Sequence, residues 1–100
     1  MPIDVEIKDE CGSTISRDDG PFLTLDFVEI APLDSVCFRF IDPWGDTTFN
    51  QTQIEVFLDE LRAVVRSMND PDRLVELRAL LQFLEPAANQ MHTYVKFIGD

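Results

Sequence analysis

Residues 49–86 read FNQTQIEVFLDELRAVVRSMNDPDRLVELRALLQFLEP, and this stretch decides the fold because it predicts two consecutive helices. Asn50 is a favourable N-cap, and Gln53 three residues later completes a capping box. Phe49 and Ile54 have the spacing of a hydrophobic staple across the same helix start. Apolar residues then recur with the i, i+3, i+4, i+7 spacing of one helix face, which predicts a helix over about residues 50–68.

The second helix begins almost at once. Asp70 is suited to the N-cap and Pro71 to the first helical position. Leucines form its apolar seam, and Pro86 is expected to end it at about Glu85, which predicts a helix over about residues 71–85. The connection between the two predicted helices is so short that we expect them to be antiparallel neighbours.

The segments around the helices carry the signals of β-strands. Ile3, Val5 and Ile7 alternate with polar residues, as in a half-buried strand. The run 36–41 is rich in β-branched and aromatic residues and is typical of a central strand that is buried on both faces. In chain order the predicted strands are 3–8, 13–17, 22–30, 36–41, 47–49 and 92–98.

These elements predict one domain, residues 1–100, of the α+β class. We expect an antiparallel or mixed sheet of four to six short strands, with the antiparallel pair of helices on one face and a closing C-terminal strand. A chain of this length can bury one core without disulfides. We expect that core to contain Phe38, Phe40, Phe57, Leu61, Leu77, Leu81, Val95 and Phe97.

The chain is strongly acidic, with a formal net charge of −11. Residues 1–50 hold 11 acidic and 3 basic residues, so most of the excess lies in the N-terminal half. A charge of this sign repels phosphate backbones and anionic lipids, which argues against direct binding to nucleic acid or membranes. It would instead steer a basic protein partner towards the chain. The alternative is that the charge serves only solubility.

The sequence shows no apolar run near the roughly 20 residues that span a bilayer. Its start, Met1 to Asp4, lacks the basic and apolar regions of a secretory signal. Cys11 and Cys37 match no metal-ligand spacing, and we expect reduced thiols. A cytoplasmic location is therefore expected.

No catalytic constellation is visible. His92 is the only histidine, which argues against a His-rich metal site. One histidine could serve with Cys11 or Cys37, but neither cysteine has a recognisable nucleophile context. The four glycines stand singly, which excludes a Gly-rich phosphate loop. We expect no catalytic residue, no bound metal and no cofactor. Neighbouring carboxylates remain as candidates for hard-cation or acid–base chemistry, namely Asp9 with Glu10, Asp18 with Asp19, and Asp42 with Asp46.

Trp44 is the only tryptophan and lies between Pro43 and Gly45 in a predicted turn. Turns usually lie at the surface, and Trp is enriched among the residues that dominate binding energies. The alternative is a ring folded back onto the sheet edge or the first helix. Together with the acidic turns, this gives the candidate partner-binding residues Asp9, Glu10, Asp18, Asp19, Asp42, Trp44 and Asp46.

Two stretches, FRFIDPWGDTTFN (residues 38–50) and YVKFIGD (residues 94–100), resemble segments of small uncharacterised bacterial proteins. That group has no assigned activity, so the resemblance implies a bacterial origin and this order of elements, and no catalytic residues. The small acidic chain is also similar, in size and charge alone, to immunity proteins of bacterial toxin systems.

The leading hypothesis is an intracellular interaction module, such as an immunity-type inhibitor that binds a basic partner by occlusion. A small carboxylate- or metal-dependent enzyme is the rival, and it requires a concave site with perturbed carboxylates. A structural subunit that assembles through a free sheet edge is a third hypothesis, and it leaves homo-oligomerisation open.

Overall fold

The computed structural model describes residues 3–17 and 31–99. Within them the strands are β1 (Asp4–Lys8), β2 (Thr14–Arg17), β3 (Asp46–Phe49) and β4 (Tyr94–Ile98). They form one sheet in the order β2-β1-β4-β3, and every neighbouring pair is antiparallel. The closing C-terminal strand therefore lies inside the sheet, between β1 and β3.

The alternation along β1 and β4 places their apolar side chains on one face of the sheet. Val5 lies opposite Phe97 and Ile7 lies opposite Val95, and all four side chains are buried. The alternate positions of these two strands form the second face, where Ile98, opposite Asp4, is the one apolar residue and Lys8 lies opposite Tyr94. The pattern of the predicted first and last strands is thus realised as one core face and a second face that is polar except at Ile98.

Two helices follow β3, as predicted. They are α1 (Gln51–Ser67) and α2 (Pro71–Leu84). The capping box of α1 is confirmed, since Asn50 accepts a hydrogen bond from the Gln53 backbone N–H and Gln53 Oε1 accepts one from the Asn50 N–H, both at 2.9 Å. Asp70 caps α2 by accepting from two backbone N–H groups. α1 packs against α2, β3 and β4, so it connects the second helix to the sheet.

Phe57 of α1 stands at the centre of the core. Its ring centroid lies 5.3 Å from that of Phe38, 5.6 Å from that of Phe49 and 5.5 Å from that of Phe97. Rings at such separations attract each other in addition to burying apolar area. This cluster joins α1 to β3, to β4 and to the segment that precedes β3.

The predicted strand at 36–41 is wrong. Phe38–Phe40 forms a single 3-10 turn there. In a strand, Phe38 and Phe40 would share one face, whereas a 3-10 turn rotates successive residues by about a third of a turn. Phe38 is accordingly buried, and Phe40 is 60% exposed, which also corrects its predicted place in the core.

The remaining core predictions are confirmed except at Leu81, which is only partly buried against the core. The predicted last strand begins at Tyr94, two residues later than expected, because His92 lies in a turn with a positive φ of 57°. The predicted strand at 22–30 lies outside the described residues.

Candidate interaction surface

The acidic turn that joins β1 to β2 uses Asp9 for its own structure. Asp9 Oδ1 accepts hydrogen bonds from the backbone N–H groups of Cys11 and Ser13, each at 2.9 Å. Gly12 takes a positive φ of 84°, a conformation that glycine adopts without steric cost. Aspartate commonly stabilises turns in this way, so the Asp9 carboxylate has a local role.

Glu10 lies beside the loop that leads into β4. Its Oε2 is 3.5 Å from His92 Nδ1, and both side chains are well exposed. An exposed pair of this kind contributes little to stability. The contact places the only histidine of the chain at the β1–β2 turn, away from Trp44.

The turn at 42–46 is built by Asp42 in the same manner as the first turn is built by Asp9. Asp42 Oδ1 accepts from the Trp44 N–H at 2.9 Å, and the Asp42 N–H donates to Thr47 Oγ1 at 2.9 Å. The Gly99 N–H donates to the Gly45 carbonyl at 2.8 Å, which fixes the turn against the end of β4. A Cβ at Gly99 would lie 2.6 Å from the Pro43 carbonyl, so only glycine permits this close approach.

The acidic candidates among the described residues lie at two ends of the sheet. Lys8 pairs with Tyr94 at one end of the sheet, beside the Asp9 turn, whereas Asp46 pairs with Ile98 at the other end. Four residue steps along β4 separate the two ends, a distance of about 14 Å. Asp46 is also engaged by Lys96, with Oδ2 3.3 Å from Nζ. Asp18 and Asp19 lie outside the described residues.

Exposed apolar side chains are concentrated in the loop of residues 31–45, which we call the apolar loop. Trp44 is 62% exposed and Leu33 is 92% exposed. Val36 and Phe40 are each 60% exposed. The ring of Trp44 is thus not folded back into the core, and the loop presents it together with three further apolar residues.

Glu60 of α1 holds the centre of this loop. Its Oε2 accepts from the Val36 N–H at 2.6 Å, and its Oε1 accepts from the N–H groups of Cys37 at 3.2 Å and Phe38 at 2.9 Å. Hydrogen bonds to an ionised group are shorter and stronger than bonds between neutral groups. One carboxylate therefore satisfies three successive backbone donors that precede and begin the 3-10 turn.

Two further residues brace the apolar loop. Ser35 Oγ donates to the Pro32 carbonyl at 2.6 Å and accepts from the Arg39 N–H at 3.0 Å. The Arg39 guanidinium donates to the Leu33 carbonyl and lies 4.7 Å from the centre of the Phe40 ring. The loop is therefore irregular but extensively hydrogen bonded.

Cys37 is enclosed by the same contacts. Burial, and secondarily the adjacent Glu60 charge, raises the pKa of its thiol above the ordinary value. A thiol that stays protonated at neutral pH is a poor nucleophile and a poor metal ligand. Cys37 is therefore a packing residue of the loop.

Clefts lie beside α1 in the part of the chain that the structure describes. One has a volume of about 290 Å³ and lies where the apolar loop meets α1, lined by Pro32, Asp34, Ser35, Asp59, Glu60 and Ala63. The other has a volume of about 500 Å³ and is lined by Arg62, Gln82, Glu85, Pro86, Ala88 and Asn89. The first cleft gives the edge of the apolar loop an acidic lining, although Glu60 is occupied by backbone donors and Asp59 by Arg62 at 3.1 Å.

No family model, curated protein or solved structure matches this chain significantly. Across residues 3–17 and 31–99, no helix is both long and apolar enough to cross a membrane. In the same part of the chain, no three His, Cys, Asp or Glu residues are grouped as ligands for a metal ion. The geometry of the apolar loop is therefore the basis on which a function is proposed.

Proposed function

We propose that the protein is an interaction module that binds a protein partner with a basic surface through the apolar loop. The observation that carries the proposal is the exposure of Leu33, Val36, Phe40 and Trp44 on one braced loop. These four large apolar side chains lie within one loop and are exposed to solvent, and a Trp that enters a partner's pocket is a frequent source of binding energy.

The charge around the loop supports a basic partner. Asp34 and Asp42 lie within the loop and are exposed. Arg39 is the only basic residue of the loop, and its guanidinium is held over the Phe40 ring. A net charge of −11 adds a long-range field of the same sign. Such a field accelerates the approach of a basic partner and disfavours an acidic one.

The mechanism that we propose is occlusion. The acidic field guides the encounter, and Trp44 and Phe40 then anchor the complex in an apolar depression of the partner. Asp9 and Glu10 lie at the opposite end of the sheet, so in this mechanism they contribute to the field and make no contact. An immunity-type inhibitor that covers a basic surface of a toxin is the narrower form of the proposal, and the similarity in size and charge supports it.

Differential capture tests the proposal. The immobilised wild-type protein, a Trp44→Ala variant and a Val75→Ala variant are each exposed to extract of the source cell, and the retained proteins are compared by quantitative mass spectrometry. Val75 is the matched control because it is an exposed apolar residue, 70% exposed, on α2. We expect a protein with a basic surface that the wild type and Val75→Ala retain and Trp44→Ala loses. Equal retention by all three, or a Trp44-dependent partner that is acidic, would refute the proposal.

A further inference from the structure

Most of the apolar loop lacks regular secondary structure, yet its exposed residues are displayed in a fixed arrangement. Phe38 and Phe40 are two positions apart, and one is buried while the other is exposed. This difference in burial depends on the 3-10 turn, in which the Phe40 N–H donates to the Cys37 carbonyl at 3.1 Å. The arrangement that displays Phe40 is therefore set by the backbone at residues 37 and 38.

That backbone is held from outside the loop. Glu60 accepts the N–H groups of Val36, Cys37 and Phe38, and it comes from a helix 22 to 24 residues later in the chain. Glu60 projects from α1, and Leu61, the next residue of that helix, is fully buried. The carboxylate thus fixes to the helix a segment that belongs to no strand and contains only a single 3-10 turn.

We propose that Glu60 is the positioning residue of the interaction surface: it holds residues 36–38 in the binding conformation before any partner arrives. This inference rests on the proposed function, because it assigns the binding role to the apolar loop. Order present in the free protein does not have to be created on binding, so affinity is gained without an additional contact. Where the competent conformation is only partly populated, the apparent affinity falls by that same fraction.

The two oxygens of Glu60 allow a graded test by hydrogen exchange on the free protein. In Glu60→Gln, Oε1 can still accept from Cys37 and Phe38, but the amide NH₂ would face the Val36 N–H, where a donor meets a donor. We expect exchange at Val36 to become about tenfold faster or more in that variant. In Glu60→Ala all three N–H groups should lose protection. Glu55→Gln is the matched control, because it removes the same charge from an exposed position of the same helix.

The second arm measures the affinity of the Trp44-dependent partner for Glu60→Gln, Glu60→Ala and Glu55→Gln. We expect the affinity for the partner to fall most in Glu60→Ala and less in Glu60→Gln. At a salt concentration that screens the lost charge, Glu55→Gln should bind with nearly the wild-type affinity. Unchanged exchange at Val36, Cys37 and Phe38 in Glu60→Ala would overturn the positioning role. Faster exchange in Glu60→Ala with an undiminished affinity for the partner would also overturn the positioning role, but it would leave the proposed function intact. The proposed function itself is judged on the wild type and Trp44→Ala, both of which retain Glu60.

Discussion

Replacing Glu60 with alanine is expected to lower the free energy of unfolding by about 2–6 kcal/mol. In the variant, the Val36 N–H can donate to water instead of Glu60, because Val36 is an exposed residue. Cys37 and Phe38 are buried, so water replaces the Glu60 carboxylate less readily at their N–H groups. Each buried donor that is left unsatisfied costs about 1–3 kcal/mol, and two such donors give the expected range.

Equilibrium urea unfolding followed by far-UV circular dichroism measures this loss, with Glu55→Ala as the control of equal charge. The urea midpoint should fall while the slope stays unchanged, since the surface exposed on unfolding is nearly the same. A fall of about 2 kcal/mol would also lower the Tm by about 8 °C or more for a domain of this size. If Glu60→Ala unfolds within about 0.5 kcal/mol of Glu55→Ala, the three hydrogen bonds do not hold the loop.

Three further outcomes are expected. Asn50→Ala should lower the free energy of unfolding by about 1 kcal/mol because α1 loses its cap, and an unchanged urea midpoint would contradict the observed capping box. Phe57→Ala should cost about 3–5 kcal/mol, because its ring contacts three others in the core, and a loss below about 1 kcal/mol in thermal or urea unfolding would contradict that packing. In the native protein, Ellman's reagent should label Cys11 and spare Cys37. Because the pKa of Cys37 is raised, it should stay protonated and unreacted as the pH rises through the ordinary thiol range near about 8.5, and equal labelling of both thiols would contradict its burial.

The helices could be predicted because their determinants are local. The capping box at Asn50, the N-cap at Asp70 and the apolar periodicity of α1 all act within a few residues of one another, and each is present in the structure. The alternation of apolar and polar residues over 3–8 is also a local signal, and it predicts β1. Neighbouring residues decide these elements, so the sequence pattern predicts them well.

The apolar loop could not be predicted, because its conformation depends on a contact distant in sequence. Residues 36–41 have strand-like side chains, but the hydrogen bonds to Glu60 and to Ser35 hold them in a turn that exposes Phe40. Nothing in the sequence around Glu60 distinguishes it from the other acidic residues of α1. A buried leucine next to a carboxylate on the same helix is too common to serve as a signal.

Part of the candidate surface was visible in the sequence and part was not. The position of Trp44 between Pro43 and Gly45 predicts a surface turn, and the ring is exposed there. The acidic residues that the sequence suggests as partner contacts have local roles in the structure. Asp9 and Asp42 stabilise their own turns, and Asp46 pairs with Lys96. The number of acidic residues in a sequence does not show which carboxylates accept hydrogen bonds from their own turns.

The most direct test of the central claim is the kinetics of the Trp44-dependent partner at rising salt concentration. For the wild type, the association rate should fall steeply with salt, because the Debye length shortens from about 30 Å at 0.01 M to about 8 Å at physiological ionic strength. Trp44→Ala should raise the dissociation rate and leave the salt dependence of association unchanged, since an anchor acts after the encounter. An association rate that is independent of salt, or a dissociation rate that Trp44→Ala leaves at the wild-type value, would contradict binding of a basic partner through the apolar loop.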